Sequence, residues 1–160
     1  MRSGITGHKR LGGAQTSQWV AGVLVDMVKK HQITEGVSCL AVGTDQIFAA
    51  ALKRLGIPYL VVIPCDRYEQ TFTETQDLES YRSLLSTADE VIRLPFDEPS
   101  EVAFFEAGKK VVDLSSIVIA VWDGAPARGL GGTADVVRYA RSIGRRVLQI
   151  NPITKHFSAI

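Results

Sequence analysis

Hydrophobic residues along the chain follow two spacings, short continuous runs and longer stretches with a helical period. Continuous runs such as YLVVIPC at 59–65 and SIVIAVWD at 116–123 are typical of strands buried on both faces of a parallel sheet. The stretch SQWVAGVLVDMVKKH at 17–31 repeats its apolar residues every three or four positions, which predicts an amphipathic helix. The two kinds of segment follow one another along the whole chain.

This alternation predicts the fold class. Strands are predicted at 3–7, 37–43, 59–65, 90–95, 116–123 and 145–152, and helices at 17–31, 45–55, 75–88, 100–115 and 132–144. Alternating strands and helices indicate right-handed crossovers. We therefore expect an α/β fold, in which residues 1–160 form a single-domain Rossmann-like, doubly wound, mostly parallel sheet with helices on both faces. In such a sheet, ligands bind beyond the carboxyl ends of the strands.

Composition narrows the functional classes. The chain has 160 residues, of which 46% are hydrophobic and 22% charged, with a net charge of +1. A near-neutral charge gives no sign of a polyanionic partner, so we expect nucleic acid to be unlikely and membrane binding to be absent. The apolar runs are too short to span a bilayer and the first residues do not resemble a signal peptide, so a cytoplasmic location is expected. Cys39 and Cys65 have no metal-ligand spacing, and neither a metal nor a cofactor is expected.

A glycine-rich loop follows the strand predicted to end near residue 122. Glycine lets the backbone approach an anion closely, and the N–H groups at the start of the next helix favour a phosphate. The candidate ligand residues of this loop are Asp123, Gly124, Gly129, Gly131, Gly132 and Thr133. The alternative is a tight turn leading to a capped helix. The segment predicts a phosphate site.

Two further strand ends carry polar residues. In GITGHKR, the candidate ligand residues are Thr6, Gly7, His8, Lys9 and Arg10. In GTD, they are Gly43, Thr44 and Asp45. A basic surface turn explains the first segment equally well, and helix capping alone explains the second. His8 is a possible acid or base, although a lone histidine more often makes a simple polar contact.

These segments together resemble the SLOG superfamily, named for the Smf/DprA and Lonely Guy (LOG) proteins. SCLAVGTDQIFAAALKRLGIPYLVVIP is similar to a DprA stretch, and GITGHKR, CDRYEQTF and YRSLLSTADEVIRL are similar to the small YpsA-like branch. AVWDGAPARGLGGTADVVRYAR resembles the phosphate-loop end of LOG-like proteins and, more distantly, nucleoside deoxyribosyltransferases. The resemblance implies a Rossmann-like sheet that binds nucleotides or nucleotide-derived ligands, commonly as a homodimer or larger homo-oligomer.

The chain departs from the catalytic pattern of these enzymes. The resemblance places their essential glutamate at Val136, and their Pro-Gly-Gly segment at Arg128, Gly129 and Leu130. Valine can neither attack an anomeric carbon nor stabilise an oxocarbenium ion. We therefore expect a ligand-binding module, such as a sensor of a nucleotide or an ADP-ribose-like molecule. The alternative is an N-glycosidase acting on a nucleoside monophosphate with Asp123 as its carboxylate, and a further alternative is a single-stranded DNA binder.

Overall fold

The computed structural model describes residues 1–127 and 129–160. Its strands are β1 (Arg2–Gly7), β2 (Glu35–Ser38), β3 (Tyr59–Ile63), β4 (Glu90–Arg93), β5 (Ile117–Val121), β6 (Arg146–Asn151) and β7 (His156–Ala159). Its α-helices are α1 (Ala14–Lys30), α2 (Thr44–Arg54), α3 (Thr75–Ser86), α4 (Glu101–Asp113) and α5 (Thr133–Ser142). A short 3₁₀ helix, Tyr68–Thr71, lies between β3 and α3.

The strands form one seven-stranded sheet in the order β4-β3-β2-β1-β5-β6-β7. All neighbouring pairs are parallel except β6 and β7, which are antiparallel. From β1 the chain proceeds outward through β2, β3 and β4, and it then returns to the other side of β1 as β5. The strand order therefore reverses between β1 and β5, and this is where a doubly wound sheet opens a crevice for ligands.

Helices cover both faces of the sheet. Alternate residues of β5 face opposite ways, because successive side chains in a strand point to opposite faces. Ile117, Ile119 and Val121 join a core cluster with residues of α1, α2 and α3, whereas Val118 and Ala120 pack with α4 and α5. All five residues of β5 are buried. The predicted α/β, Rossmann-like, mostly parallel sheet is confirmed.

The structure differs from the predicted elements most clearly at β2 and β7. The strand predicted at 37–43 ends at Ser38, and the apolar residues after it form a loop in which Leu40 adopts a φ of 56°. The Ser38 hydroxyl accepts a hydrogen bond from Leu40 N at 3.0 Å, so a side chain replaces the ladder at this point. The antiparallel β7 was not predicted, because HFSA has no apolar run and its alternation of polar and apolar residues spans only four positions.

Three expectations from the sequence stay predictions. They are the single domain over 1–160, the homo-oligomer and the cytoplasmic location. Arg128, which the family resemblance places in the Pro-Gly-Gly segment, lies outside the described residues. Within 1–127 and 129–160, none of the helices has the length and apolar character that a membrane crossing requires.

Candidate functional site

The carboxyl ends of β1 and β5 lie side by side at the strand-order reversal. Gly7 is the register partner of Val121, and His8 N donates a hydrogen bond to Val121 O at 3.1 Å. The loop after β1 (residues 8–13) and the loop after β5 (residues 122–132) therefore start as neighbours. We call the space between them the switch-point crevice. Thr6 and Gly7 lie at its floor, on the last two positions of β1.

The first wall of the crevice leads into an open helix start. Gly12 and Gly13 take φ values of 86° and 125°, which side chains rarely adopt, and Gly13 is the N-cap of α1. Among the described residues no side chain caps α1, and its first turn contains no acidic residue. Its first N–H groups and the positive end of its dipole are thus left for another partner.

Positively charged residues precede this helix start in the sequence. Lys9 Nζ lies 5.5 Å from the ring centroid of Phe104 in α4, a distance at which the aromatic ring attracts the ammonium group. Arg10 is exposed to solvent. Two cations therefore precede α1 within the same loop, and α4 supports one of them.

Residues 43 and 44 contact the backbone of the loop after β1 and fix its position. Thr44 N and Thr44 Oγ1 both donate hydrogen bonds to His8 O, at 3.2 and 2.9 Å. Gly43 has a φ of 84°, and a Cβ there would lie 2.2 Å from Lys9 O. A Cβ on Gly7 would meet the Thr44 side chain at 2.6 Å. Gly43 and Thr44 are therefore positioned to shape the loop, and the Thr44 hydroxyl is already engaged by the protein.

Asp45 is a buried carboxyl group behind the same loop, with 8% of its surface exposed. Asp45 Oδ2 accepts a hydrogen bond from Ala41 N at 3.2 Å, and Ser38 Oγ donates to Asp45 O at 3.2 Å. Burial raises the pKa of Asp45 to about 7, against the opposing effects of the Ala41 N–H and of the Lys9 ammonium. Asp45 thus holds the loop after β2 and contributes a group that titrates near neutral pH.

His8 and Asp123 meet across the crevice, each about two-thirds buried, with side-chain exposures of 32% and 27%. His8 Nε2 lies 3.3 Å from Asp123 Oδ1, and it accepts a hydrogen bond from Asp123 N at 3.2 Å. Asp123 Oδ1 also accepts from Ala125 N at 2.9 Å. The Ala125 N–H group holds the pKa of Asp123 below its usual value. The pair links the two loops and places an ionised carboxylate beside an imidazole.

The glycine loop after β5 already has an anion of its own. Gly131 N donates a hydrogen bond to Asp135 Oδ2 at 3.0 Å, and Asp135 also forms a salt bridge with Arg138 at 2.9 Å. Gly131 has a φ of 89°, and a Cβ there would lie 3.0 Å from Glu101 O at the start of α4. The predicted phosphate loop therefore packs on α4, and a carboxylate occupies the helix start where the phosphate was expected.

The remaining residues of this loop surround that carboxylate. Gly132 is the N-cap of α5 with an extended backbone, and Thr133 is the first helical residue. A Cβ on Gly129 would lie 2.5 Å from Glu101 Oε1, and Gly124 takes a φ of 88° beside Gln149. These placements do not test ligand binding, so the roles of the loop residues stay predictions.

Val136, which the family resemblance aligns with the catalytic glutamate, faces the protein core. Val136 is 3% exposed and packs with Val118 and Ala120 of β5. A Cβ on Gly108 of α4 would lie 2.6 Å from Val136 Cγ2, so the valine fills the space that this glycine leaves. A carboxylate at residue 136 would therefore be buried between α4 and α5 rather than presented to the switch-point crevice.

Sequence reasoning missed two contributors to the crevice. The pair Gly12-Gly13 was not selected, although two glycines before a helical pattern are a signal for an uncapped helix start. Phe104 was treated as part of an ordinary helix face, and only the packing of α4 beside Lys9 reveals its contact. Among the described residues, no group of three or more His, Cys, Asp or Glu side chains is arranged to hold a metal ion.

Comparison with known proteins identifies the fold. No family model matches the sequence, and no curated protein matches it. The structure is similar to DNA processing protein A (DprA) from Streptococcus pneumoniae, with a TM-score of 0.69, 20% identity and coverage of 94% of this chain and 50% of that one. It is similar to DprA from Helicobacter pylori, with a TM-score of 0.68, 19% identity and coverage of 94% and 65%. It is also similar to the molybdenum cofactor carrier protein of Chlamydomonas reinhardtii, with a TM-score of 0.54, 16% identity and coverage of 92% and 74%.

At sequence identities of 16–20%, the similarity to these structures shows the shared fold alone. The chain spans one half and about two-thirds of the lengths of the two DprA proteins. DprA and the cofactor carrier are SLOG-type Rossmann-like proteins, so the resemblance noted in the sequence is confirmed for the fold.

The expectation that nucleic acid is an unlikely partner was wrong. The Helicobacter pylori protein, which shares the fold over 94% of this chain, is described as having a single-stranded DNA binding mode. The inference failed because a net charge of +1 sums over the whole molecule and does not report how the charges are distributed. A local concentration of Lys and Arg is enough to bind phosphates, whatever the total charge.

Proposed function

We propose that this chain is a binding module for a phosphate-bearing, nucleotide-like ligand in the switch-point crevice. One observation carries the proposal: the uncapped start of α1, which has no acidic residue in its first turn, opens at the strand-order reversal behind Lys9 and Arg10. Helix starts of this kind bind phosphate through free N–H groups and the helix dipole. The ligand phosphate would contact residues 9–15.

The contrast between α1 and α5 supports placing the phosphate at α1. At α5, the carboxylate of Asp135 accepts from Gly131 N and would repel a second anion. At α1 the nearest charges in sequence are two cations. The loop after β5 then contributes the opposite wall, with Asp123 available to accept from a ligand hydroxyl. An ionised carboxylate beside neutral donor groups is a common partner for a ribose.

The other structures with this fold support ligand binding in general. They include a protein with a single-stranded DNA binding mode and a molybdenum cofactor carrier protein. Binding without cleavage is favoured because the side chain at residue 136 is a buried valine. We therefore propose a sensor or ligand-binding role for the crevice rather than glycosidic hydrolysis.

A second candidate ligand of the same crevice is single-stranded DNA. The observation that favours it is the similarity to the two DprA structures at TM-scores of 0.69 and 0.68. The phosphate of one nucleotide in a strand would then occupy the start of α1. Competition between AMP and an oligonucleotide for this site distinguishes the two ligands.

The proposal is tested by placing a negative charge in the first turn of α1. Gln15 is exposed there, and Gln15→Glu changes its charge with little change in shape. We expect the affinity for AMP and for ADP-ribose to fall by about three- to thirty-fold, because a helix-start charge interaction is worth about 0.7–2 kcal/mol. Isothermal titration calorimetry measures the change.

Gln18→Glu is the matched control, since Gln18 is exposed on the same helix one turn further on. It makes the same chemical change, and we expect the wild-type affinity. Gln15→Glu should not lower the melting temperature, because an acid in the first turn stabilises a helix. Equal affinities for the two variants would show that the phosphate does not bind at α1.

A further inference from the structure

The edge of the sheet opposite the crevice carries a concentration of basic residues. The strands begin there and the helices end there, so residues distant in sequence meet. We call the following set the amino-edge basic surface: Lys29, Lys30, His31, Arg141, Arg145 and Arg146. It includes the end of α1, the end of α5 and the start of β6.

The two sides of this surface belong to elements that pack together, since Val28 of α1 and Leu148 of β6 share one core cluster. Partial burial lowers the pKa of His31, and the positive charges of Arg146 and Lys30 lower it further. His31 is the C-cap of α1, and Arg146 is the first residue of β6. The end of α1 and the start of β6 therefore form one region of positive potential.

Arg145 extends the surface to the other face of the sheet. Its guanidinium donates to Val112 O and Asp113 O at the end of α4, each at 3.5 Å. These long contacts orient the side chain and leave its charge without a carboxylate partner among the described residues. Arg141 lies exposed in the last turn of α5, four residues before it.

Among the described residues, five of the twelve Lys and Arg side chains outside this surface are paired with acids. Arg2, Arg67, Arg82, Lys109 and Arg138 each form a salt bridge. Within 1–127 and 129–160, no salt bridge involves a residue of the amino-edge basic surface. A favourable interaction with helix dipoles accounts for Lys29, Lys30 and Arg141. It does not account for Arg145 and Arg146, which precede and open a strand.

We infer that the amino-edge basic surface binds the phosphodiester backbone of a nucleic acid, without sequence specificity and separately from the switch-point crevice. Unpaired Lys and Arg side chains release the counterions of a polyphosphate strand, which drives such binding. An anionic membrane fits this surface less well. Among the described residues, the large exposed apolar side chains near it are Met1, Ile143 and Ile160, and stable adsorption to a bilayer needs a larger apolar area.

The test compares two triple variants that remove the same charge from opposite edges. The first is Lys29→Gln, Lys30→Gln and Arg146→Gln, all at exposed side chains. The second is Lys9→Gln, Arg10→Gln and Arg93→Gln at the carboxyl edge. Fluorescence anisotropy follows binding of a labelled oligothymidylate of about 20 nucleotides, and of a duplex of that length, between roughly 50 and 200 mM salt.

We expect the amino-edge variant to bind the oligonucleotide at least about ten-fold more weakly at the lowest salt concentration. Its slope of log affinity against log salt should be shallower by about 2, since each phosphate contact to a single strand contributes about 0.7. The carboxyl-edge variant should stay within about two-fold of the wild type for the oligonucleotide and lose AMP binding. We expect the duplex to bind the amino-edge variant more weakly and the carboxyl-edge variant like the wild type. That result would show that the surface recognises the phosphate backbone, which both nucleic acids share.

Three results would overturn the inference. The first is wild-type protein that binds neither nucleic acid at the lowest salt concentration. The second is loss of oligonucleotide binding in the carboxyl-edge variant alone, which would instead support the second candidate for the crevice. The third is binding to phosphatidylserine vesicles that depends on the amino edge while nucleic acid does not bind. AMP affinity is measured separately, so failure of this inference leaves the proposed ligand site intact.

Discussion

Burial changes the acid–base properties of Asp45. In the sequence it is an ordinary helix-start acid within GTD, where capping is sufficient to explain it. In the structure it is buried, and it accepts from Ala41 N in the loop after β2. Its surroundings favour the neutral form, because a buried carboxylate loses the solvation that water gives its charge.

This burial predicts how stability depends on pH. The pKa of Asp45 is about 7 in the folded chain against its usual 3.8, so the folded state holds this proton more tightly than the unfolded state. The resulting stabilisation is fully present below the unfolded pKa and is lost as the pH rises through 7. Asp45→Asn mimics the neutral form and should remove this dependence.

The measurement is urea unfolding of both proteins at about pH 5 and about pH 8. Relative to Asp45→Asn, the wild type should lose about 3 kcal/mol of unfolding free energy between these pH values, at about 1.4 kcal/mol per pH unit below the folded pKa. The same pH dependence in both proteins would contradict the assignment of the shift to Asp45. Glu90→Gln, at an exposed side chain of the edge strand β4, is a comparison that should keep the wild-type dependence.

The orientation of the Val136 side chain depends on helix packing. The sequence places a valine at the position that the family resemblance assigns to the catalytic glutamate. It does not predict that the side chain would point into the interface of α4 and α5, against Gly108. The orientation depends on how two helices pack, and the motif spacing alone describes only one of them.

At the scale of elements, the loop after β1 is held by the loop after β2. Gly43 makes this contact possible, because its backbone lies against the carbonyl groups of His8 and Lys9. Thr44 completes the contact with two hydrogen bonds to His8 O. The crevice wall therefore depends on a segment that lies outside residues 9–15, where the phosphate is proposed to bind.

The contact between the loop after β1 and the loop after β2 is tested with two glycine substitutions. Both Gly43 and Gly56 have positive φ values, 84° and 69°. A Cβ on Gly43 would lie 2.2 Å from Lys9 O, whereas a Cβ on Gly56 would meet no atom within 4 Å. Gly43→Ala should cost roughly 2–5 kcal/mol, and Gly56→Ala about 1–2 kcal/mol for the backbone conformation alone.

Urea midpoints give both values, and calorimetry with AMP gives the functional effect. We expect Gly43→Ala to weaken AMP binding and Gly56→Ala to leave it unchanged. Similar losses of stability in the two variants would mean that the close approach of the two loops does not occur in solution.

At the scale of the whole molecule, pairing and burial decrease from the centre of the sheet to its edges. β5 is paired with β1 on one side and β6 on the other, and its residues are all buried. β7 pairs only with β6, and its four residues are all exposed. The antiparallel edge strand therefore has the weakest protection from solvent.

Amide hydrogen exchange tests this gradient. We expect amides of β5 to exchange at least about a thousand-fold more slowly than those of β7, because the centre opens only with global unfolding while an edge strand opens locally. Mass spectrometry of peptides covering 117–121 and 156–159 makes the comparison. Equal protection of the two strands would indicate that another surface covers β7 in solution.

The sequence by itself determined the layered α/β fold, the position of nearly every helix and the loops that line the crevice. These features follow from local properties: apolar periodicity, glycines and helix stop signals depend on neighbouring residues along the chain. The sequence also located the strand ends that carry GITGHKR and the glycine-rich loop. These two segments are expected to lie close together because the carboxyl ends of parallel strands share one edge of the sheet.

Only the tertiary structure decided which of these features act together. It places β1 beside β5, pairs His8 with Asp123 and directs the Asp135 carboxylate to the start of α5, which leaves α1 as the open helix start. It also gathers cations from two distant segments, 29–31 and 141–146, at one edge, although the net charge is only +1. The physical reason is that contacts and potentials depend on distance in space, which strand order and helix packing set and local sequence patterns do not encode.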